Sequence, residues 1–212
     1  VVLGLILVLA LVLLPHMVYL RFQNPGKTSV MIEIGGEVQQ SWVPLSKISP
    51  HLQKAVVVAE DSDFYSHHGF DLKEMKESLK KNWRTKRFRR GASTLTMQLA
   101  KNMYLTRRKP PLRKLLEVPI TLELEAILPK ARILEIYLNV IEWGPHLYGV
   151  EAASRYYFHK PAANLGLEEA ATLAAIIPNP RLYTQKYRRY AERRKRWILA
   201  RLSRFERAPE AE

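Results

Sequence analysis

Residues 1–14, VVLGLILVLALVLL, carry no polar side chain, and Met17 to Leu20 prolong the apolar stretch past Pro15 and His16. A helix rises about 1.5 Å per residue, so roughly twenty such residues cross the roughly 30 Å hydrocarbon core of a bilayer. The stretch predicts a helical anchor over residues 1–20. A cleaved secretory signal is the competing reading, but its apolar core runs about 7–15 residues and ends at small side chains. The residues after Leu14, PHMVYLRF, offer no such cleavage pattern, which favours an uncleaved anchor. Orientation does not follow from Arg21 or the basic chain behind it, because long domains cross a membrane regardless of their charge.

The rest of the 212-residue chain is long enough for one domain with its own core. There is no Cys, so packing rather than disulfides must hold that core. The formal net charge is +14, from 34 Lys and Arg against 20 Asp and Glu. Such a balance suits a polyanionic partner: nucleic acid, an anionic membrane surface or a phosphate-bearing substrate.

Residues 21–41 read as a linker (RFQNPGKTS) followed by a short hairpin, VMIEIGGEV, turning at Gly35-Gly36. A folded domain is expected over 42–206 and a tail over 207–212. From Ser49 onward the periodicity is helical. Leu72, Met75, Leu79 and Trp83 recur at helical spacing, with lysines on the other faces. Ser93 or Thr94 can cap a helix through Tyr104. Pro110-Pro111 open the next helix, Pro119 lies inside it and Pro129 ends it. Ile133, Leu134, Tyr137, Leu138 and Ile141 form one stripe, and LEEAATLAAII at 167–177 reads as a buried helix stopped by Pro178. A last, basic helix over about 187–206 carries Tyr190, Trp197, Ile198, Leu202 and Phe205 among arginines. The expected class is mostly α with one or two short strands. The glycine-punctuated βαβ rhythm of a nucleotide-binding fold is absent.

Three stretches carry chemistry. In VVVAEDSDFYSHHGFDL, positions 56–72, an apolar run ends abruptly in Glu60-Asp61. A carboxylate at the end of a buried segment has its pKa raised by desolvation, which suits a general base or acid, although a solvated helix end has the same pattern. The two histidines nearby fit no standard zinc spacing. In GASTLTMQLAKN, positions 91–102, small and hydroxyl residues precede amides and a lysine, a lining able to bond sugar hydroxyls and phosphate or simply a Ser-capped helix. No Gly-Lys-Ser/Thr makes it a P-loop. In RKLLEVPITLELE, positions 113–125, Arg113, Lys114 and Glu117 share a helix face, either as a functional cluster or as a surface ion-pair group.

Taken in order, these stretches resemble the glycosyltransferase domain of peptidoglycan polymerases, the domain found in penicillin-binding proteins. That family's pattern is Glu-Asp-x-x-Phe-x-x-His-x-Gly, then Gly-x-Ser-Thr-x-x-Gln-Gln-x-x-Lys-Asn, then Arg-Lys-x-x-Glu. KARILEIYLNVIEWGPHLYGVEAASRYYF at 130–158 and EEAATLAAIIPNP at 168–180 agree as well, so the resemblance covers about residues 42–182. The anchor and the FHKPAANL continuation are similar to the monofunctional branch, the biosynthetic peptidoglycan transglycosylases. One departure is plain: the family's two consecutive glutamines stand here as Met97-Gln98.

The resemblance implies a lysozyme-like, mostly α fold with one N-terminal transmembrane helix. It implies lipid II and the growing glycan strand as substrates, joined by an inverting β-1,4 transfer that releases polyprenyl diphosphate. Glu60 would be the base for the sugar hydroxyl and Glu117 the second essential carboxylate. Lys101, Arg113 and Lys114 would meet the diphosphate, while Ser93, Thr94, Gln98 and Asn102 would line the groove. A divalent cation, Mg2+ or Mn2+, would sit at Glu117. The expected partners are membrane lipids and other cell-wall synthesis proteins, with no nucleic acid. The expected place is the bacterial inner membrane, spanned once, with the catalytic domain on the periplasmic face.

Two rivals stand beside this reading. A lytic enzyme of lysozyme-like fold also uses a carboxylate in an α-rich groove, but needs no cationic cluster. A membrane-tethered nucleic-acid binder would explain the basic last helix, which a solvated face over a core stripe explains better. A second, penicillin-binding activity finds no support: Ser78-Leu-Lys-Lys81 has no Lys-Thr-Gly after it.

Overall fold

The computed structural model describes residues 2–85, 92–106, 111–182 and 185–205, the side chains of 2–10, 111–112, 185–187 and 205 excepted. Pro110, Phe205 as a core residue and the tail 207–212 lie outside what is described. The described chain is mostly helical and forms two compact units, residues 1–33 with 63–137 and residues 34–62 with 138–212.

In the first unit, α1 (Val2–Phe22) and α5 (Leu95–Tyr104) both pack on α6 (Pro111–Ile127). Met17 and Leu20 of α1 are fully buried, whereas Leu11, Val12, Val18 and Phe22 are exposed. The end of α1 is also tied by polar contacts. Arg21 donates to the Ile127 carbonyl at 3.0 Å, and Arg132 donates to the carbonyls of Leu20 at 2.9 Å and Gln23 at 2.6 Å. Residues 21–29 are therefore no free linker. Among the described residues, no helix is long and apolar enough to cross a membrane.

The expected hairpin is not formed. Residues 29–34 are a helical turn, α2 (Ser29–Ile34), because the Thr28 hydroxyl accepts the Met31 N–H at 3.2 Å and caps it. Val30 and Met31 are both buried, which neighbours on a strand, pointing to opposite faces, could not be against one core. Gly35 and Gly36 do turn the chain, at φ 67° and 81°. The spacing in α4 (Leu72–Thr85) is helical as expected, but its apolar stripe faces outward: Leu72, Leu79 and Trp83 are 73%, 66% and 89% exposed, and Ser78 is the buried position.

The second unit holds a three-stranded sheet ordered β1 (Gln39–Gln40), β3 (Leu147–Tyr148), β2 (Glu142–Gly144), with β1 and β3 parallel and β2 and β3 antiparallel. Among the described residues there are thus three short strands, against the one or two expected. Helix α8 (Val150–Phe158) follows β3 through Gly149, whose φ of 77° and approach to the Asn139 carbonyl leave no room for a Cβ. The core lies where α9 (Leu167–Ile176) packs on both α3 (Pro50–Glu60) and α10 (Gln185–Phe205). Ala170, Ala171, Leu173 and Ala174 of α9 are fully buried, as the sequence of that helix predicts, together with Leu52, Ala55 and Val56 of α3. Helix α7 (Lys130–Val140) ends before Ile141, and Ile133, Leu134, Tyr137, Leu138 and Ile141 are all buried as expected.

Candidate active site

Within the first unit, α6 gathers the cationic group. Glu117 is 3% exposed, with Lys114 Nζ at 2.7 Å from its Oε2 and Arg113 Nε at 3.3 Å from its Oε1. The Arg113 contact is an ion pair without hydrogen-bond geometry. One helical turn places all three residues together, since positions three and four apart share a face. Lys114 Nζ also reaches the Ser93 hydroxyl at 3.4 Å, which joins the second and third motifs.

Helix α5 presents the second motif. Thr94 is its cap, accepting the Met97 N–H at 3.2 Å and donating to the Gly69 carbonyl at 2.6 Å. Its hydroxyl is thus committed to fixing the first motif against the second. Gly69 sits at φ 88° with Thr121 Cγ2 2.8 Å from where a Cβ would lie, so only glycine fits. Gln98 accepts the Tyr137 hydroxyl at 2.9 Å, and Asn102 donates to the Gln98 carbonyl at 2.8 Å. Lys101 and Asn102 are half-buried on the same helix. Met97, the departure from the family pattern, is 2% exposed in the core, where a thioether packs without the hydrogen bonds a second glutamine would require.

A further network around Phe64 was not foreseen. Glu125 accepts from the Thr96 hydroxyl at 2.5 Å and from Lys130 Nζ at 2.8 Å, and Lys130 lies 4.5 Å above the ring of Phe64. The signal was present as Lys130 before a helical stripe, but nothing in its spacing pointed to Phe64.

Glu60 belongs to the second unit. It is the last residue of α3, half-buried, and its Oε1 accepts from Arg194 Nη2 of α10 at 2.5 Å. The sequence placed this carboxylate at the end of a buried segment, and the structure adds a guanidinium partner for it. Arg194 was missed because it stands in a run of basic residues. Its signal was positional: Ala191, Ile198 and Leu202 are the buried stripe of α10, and Arg194 falls on the same spacing.

In chemical terms, the first unit offers clustered cations balanced by one buried carboxylate, and the second offers a carboxylate held by a guanidinium. Among the described residues, no group of three or more His, Asp or Glu could hold a metal ion.

A family model described as transglycosylase matches residues 27–203. Relatives each called biosynthetic peptidoglycan transglycosylase include that of Chromobacterium violaceum, 46% identical over 81% of this chain and 79% of its own length. That of Dechloromonas aromatica is 45% identical over 85% and 82%, and that of Nitrosospira multiformis is 41% identical over 89% and 86%.

Proposed function

From the chain's membership of the transglycosylase family, established by a match to most of its length, we infer a peptidoglycan glycosyltransferase that polymerises glycan strands for the bacterial cell wall. The substrate in this reading is lipid II, and the growing strand is the donor. The 4-hydroxyl of the incoming sugar attacks the donor's anomeric carbon, Glu60 takes the hydroxyl proton, and the bond to the lipid diphosphate breaks with its electron pair. The product linkage is β-1,4, inverted from the donor.

The observation that carries this reading is the Arg113–Lys114–Glu117 group of the first unit with Ser93 against it. Negative charge develops on the departing diphosphate, and preorganised cations act most where charge develops. A lytic enzyme has no such leaving group, which favours transfer over hydrolysis. Lys101 supplies a further cation, and Gln98 and Asn102 supply amides for sugar hydroxyls. Glu117 holds Arg113 and Lys114 in place. Both its oxygens face cations, so a divalent ion such as Mg2+ or Mn2+ at Glu117 would share the carboxylate with Arg113 and Lys114 and take its other ligands from the substrate's phosphates.

We read α1 as the anchor of a single-pass protein of the inner membrane. The reading rests on the wholly apolar sequence of residues 1–14 and not on a spanning helix among the described residues. Exposed apolar side chains of the first unit support a lipid-facing surface: Leu11, Val12 and Phe22 on α1, Leu115, Val118 and Leu122 on α6, and Leu72, Leu79 and Trp83 on α4. The ties of Arg21 and Arg132 to the end of α1 would hold such a surface at a fixed height. Membrane lipids are then a partner, and other cell-wall synthesis proteins are the natural company.

The deciding experiment feeds purified protein with lipid II and follows glycan length. Polymer in the wild type and none in Glu60→Gln supports the reading. Cleavage of finished glycan without growth from lipid II would overturn it.

A further inference from the structure

Helix α3 ends on an acid, and a helix end is a poor place for one. The last carbonyls of a helix carry a partial negative charge that disfavours a neighbouring carboxylate. Glu60 is that last residue, and Asp61 follows it, 7% exposed. Stability alone would be served by no acid here.

The same Nη2 of Arg194 addresses both problems. It donates to the Ala59 carbonyl at 2.9 Å and to Glu60 Oε1 at 2.5 Å, so one nitrogen fixes the carboxylate relative to the backbone of its own helix. Arg194 reaches this point from the buried stripe of α10, and its side chain is only 20% exposed. Its Nε is buried with no hydrogen-bond partner among the described residues, a cost that a surface cap would not carry. The neighbouring helices carry two further ion pairs. Lys195 of α10 pairs with Glu168 of α9 at 2.6 Å, and Glu169 of α9 pairs with Lys160 at 2.8 Å.

We propose that Arg194 is a positioning residue for the base: it clamps the Glu60 carboxylate in one orientation and keeps it ready to accept the sugar's proton. The proposal rests on the reading of Glu60 as the base. A carboxylate on a flexible side chain samples several rotamers, and a misplacement of about 1 Å at a reacting group costs about 100-fold in rate. A guanidinium fixed by the helix backbone removes that freedom.

The test compares Arg194→Ala, Arg194→Lys and Glu60→Gln, each in the full chain, on lipid II across a pH series, with thermal melts alongside. Arg194→Ala is expected to lower kcat about 100-fold, with KM for lipid II within about twofold of wild type. The acidic limb of its pH–rate profile moves to higher pH, because a carboxylate that loses its cation is protonated more readily. Arg194→Lys keeps the charge and recovers part of both effects. Should Arg194→Ala melt below the assay temperature, the limb of Arg194→Lys decides. An unmoved limb in the folded variants, or a rate near wild type, overturns the clamp while an inactive Glu60→Gln leaves the base in place. Strong polymerisation by Glu60→Gln overturns the base and the clamp together.

Discussion

The two units solve the same problem, a carboxylate held among hydrophobic helices, by different routes. In the first, Glu117 finds Arg113 and Lys114 within one turn of its own helix. In the second, Glu60 finds Arg194 across 134 positions of sequence. The first group forms whenever α6 is helical and needs no other part of the fold to bring its charges together. The second exists only once α3, α9 and α10 have packed. Under the proposed function, the difference separates two kinds of chemical duty. A local cluster of cations can serve as a fixed counter-charge for a leaving diphosphate. A base that must meet one hydroxyl in one direction gains from being locked by tertiary structure.

The sharpest way to break this contrast is to remove each carboxylate's function. Glu60→Gln is expected to lower polymerisation by at least about 100-fold and up to about 10,000-fold, the usual range for loss of a general base. Its melting temperature should stay near that of wild type, measured by circular dichroism. A rate loss explained by unfolding would remove Glu60 from the mechanism.

On the other side of the comparison, Lys114→Ala takes away a half-exposed cation that touches Glu117 and Ser93. The expected loss is about 100-fold in kcat on lipid II, of the size seen when one preorganised stabiliser of developing charge is removed. Raising the salt concentration should not restore it, because a diffuse ion cannot occupy a fixed position. If Lys114→Ala changes only KM, the cation binds substrate and does not assist departure.

This contrast also explains how much could be read from the chain. The cap at Thr94, the α6 cluster and the buried stripe of α9 are local, and each was legible because spacing along a helix determines which side chains meet. The Arg194–Glu60 pair and the Lys130–Phe64 contact are tertiary, and no spacing rule reaches them. Two failures have a different origin. The segment VMIEI reads equally as strand or helix, and a threonine cap decided it. The stripe of α4 has the right period but the wrong neighbour, since periodicity reports a shared face and not what covers it.

Gly69 tests whether the first motif is held by packing within the first unit. Gly69→Ala would place a Cβ 2.8 Å from Thr121 Cγ2 at a φ of 88°. The expected destabilisation is about 1–3 kcal/mol, from backbone strain and overpacking together. Chemical denaturation would show a lower midpoint. A midpoint equal to wild type would mean that α6 yields at this contact.

The smallest effect expected comes from Glu123 of α6, which lies apart from the ion pairs just compared. Burial pushes its carboxyl above the usual 4.5, and its Oε2 has no hydrogen-bond partner among the described residues. An acid whose folded pKa is raised binds its proton more tightly when folded. Stability therefore falls as pH climbs from about 4.5 through the raised value, and the penalty is complete above it. Glu123→Gln keeps the shape and removes the charge, so its melting temperature should exceed that of wild type at pH 7, with the gap closing as the pH approaches 4. The same charge also helps to hold the nearby Tyr104 hydroxyl protonated, second to the burial of that ring. A gap that persists unchanged to acid pH would mean that the glutamine gains from a new hydrogen bond and that the buried charge contributes nothing.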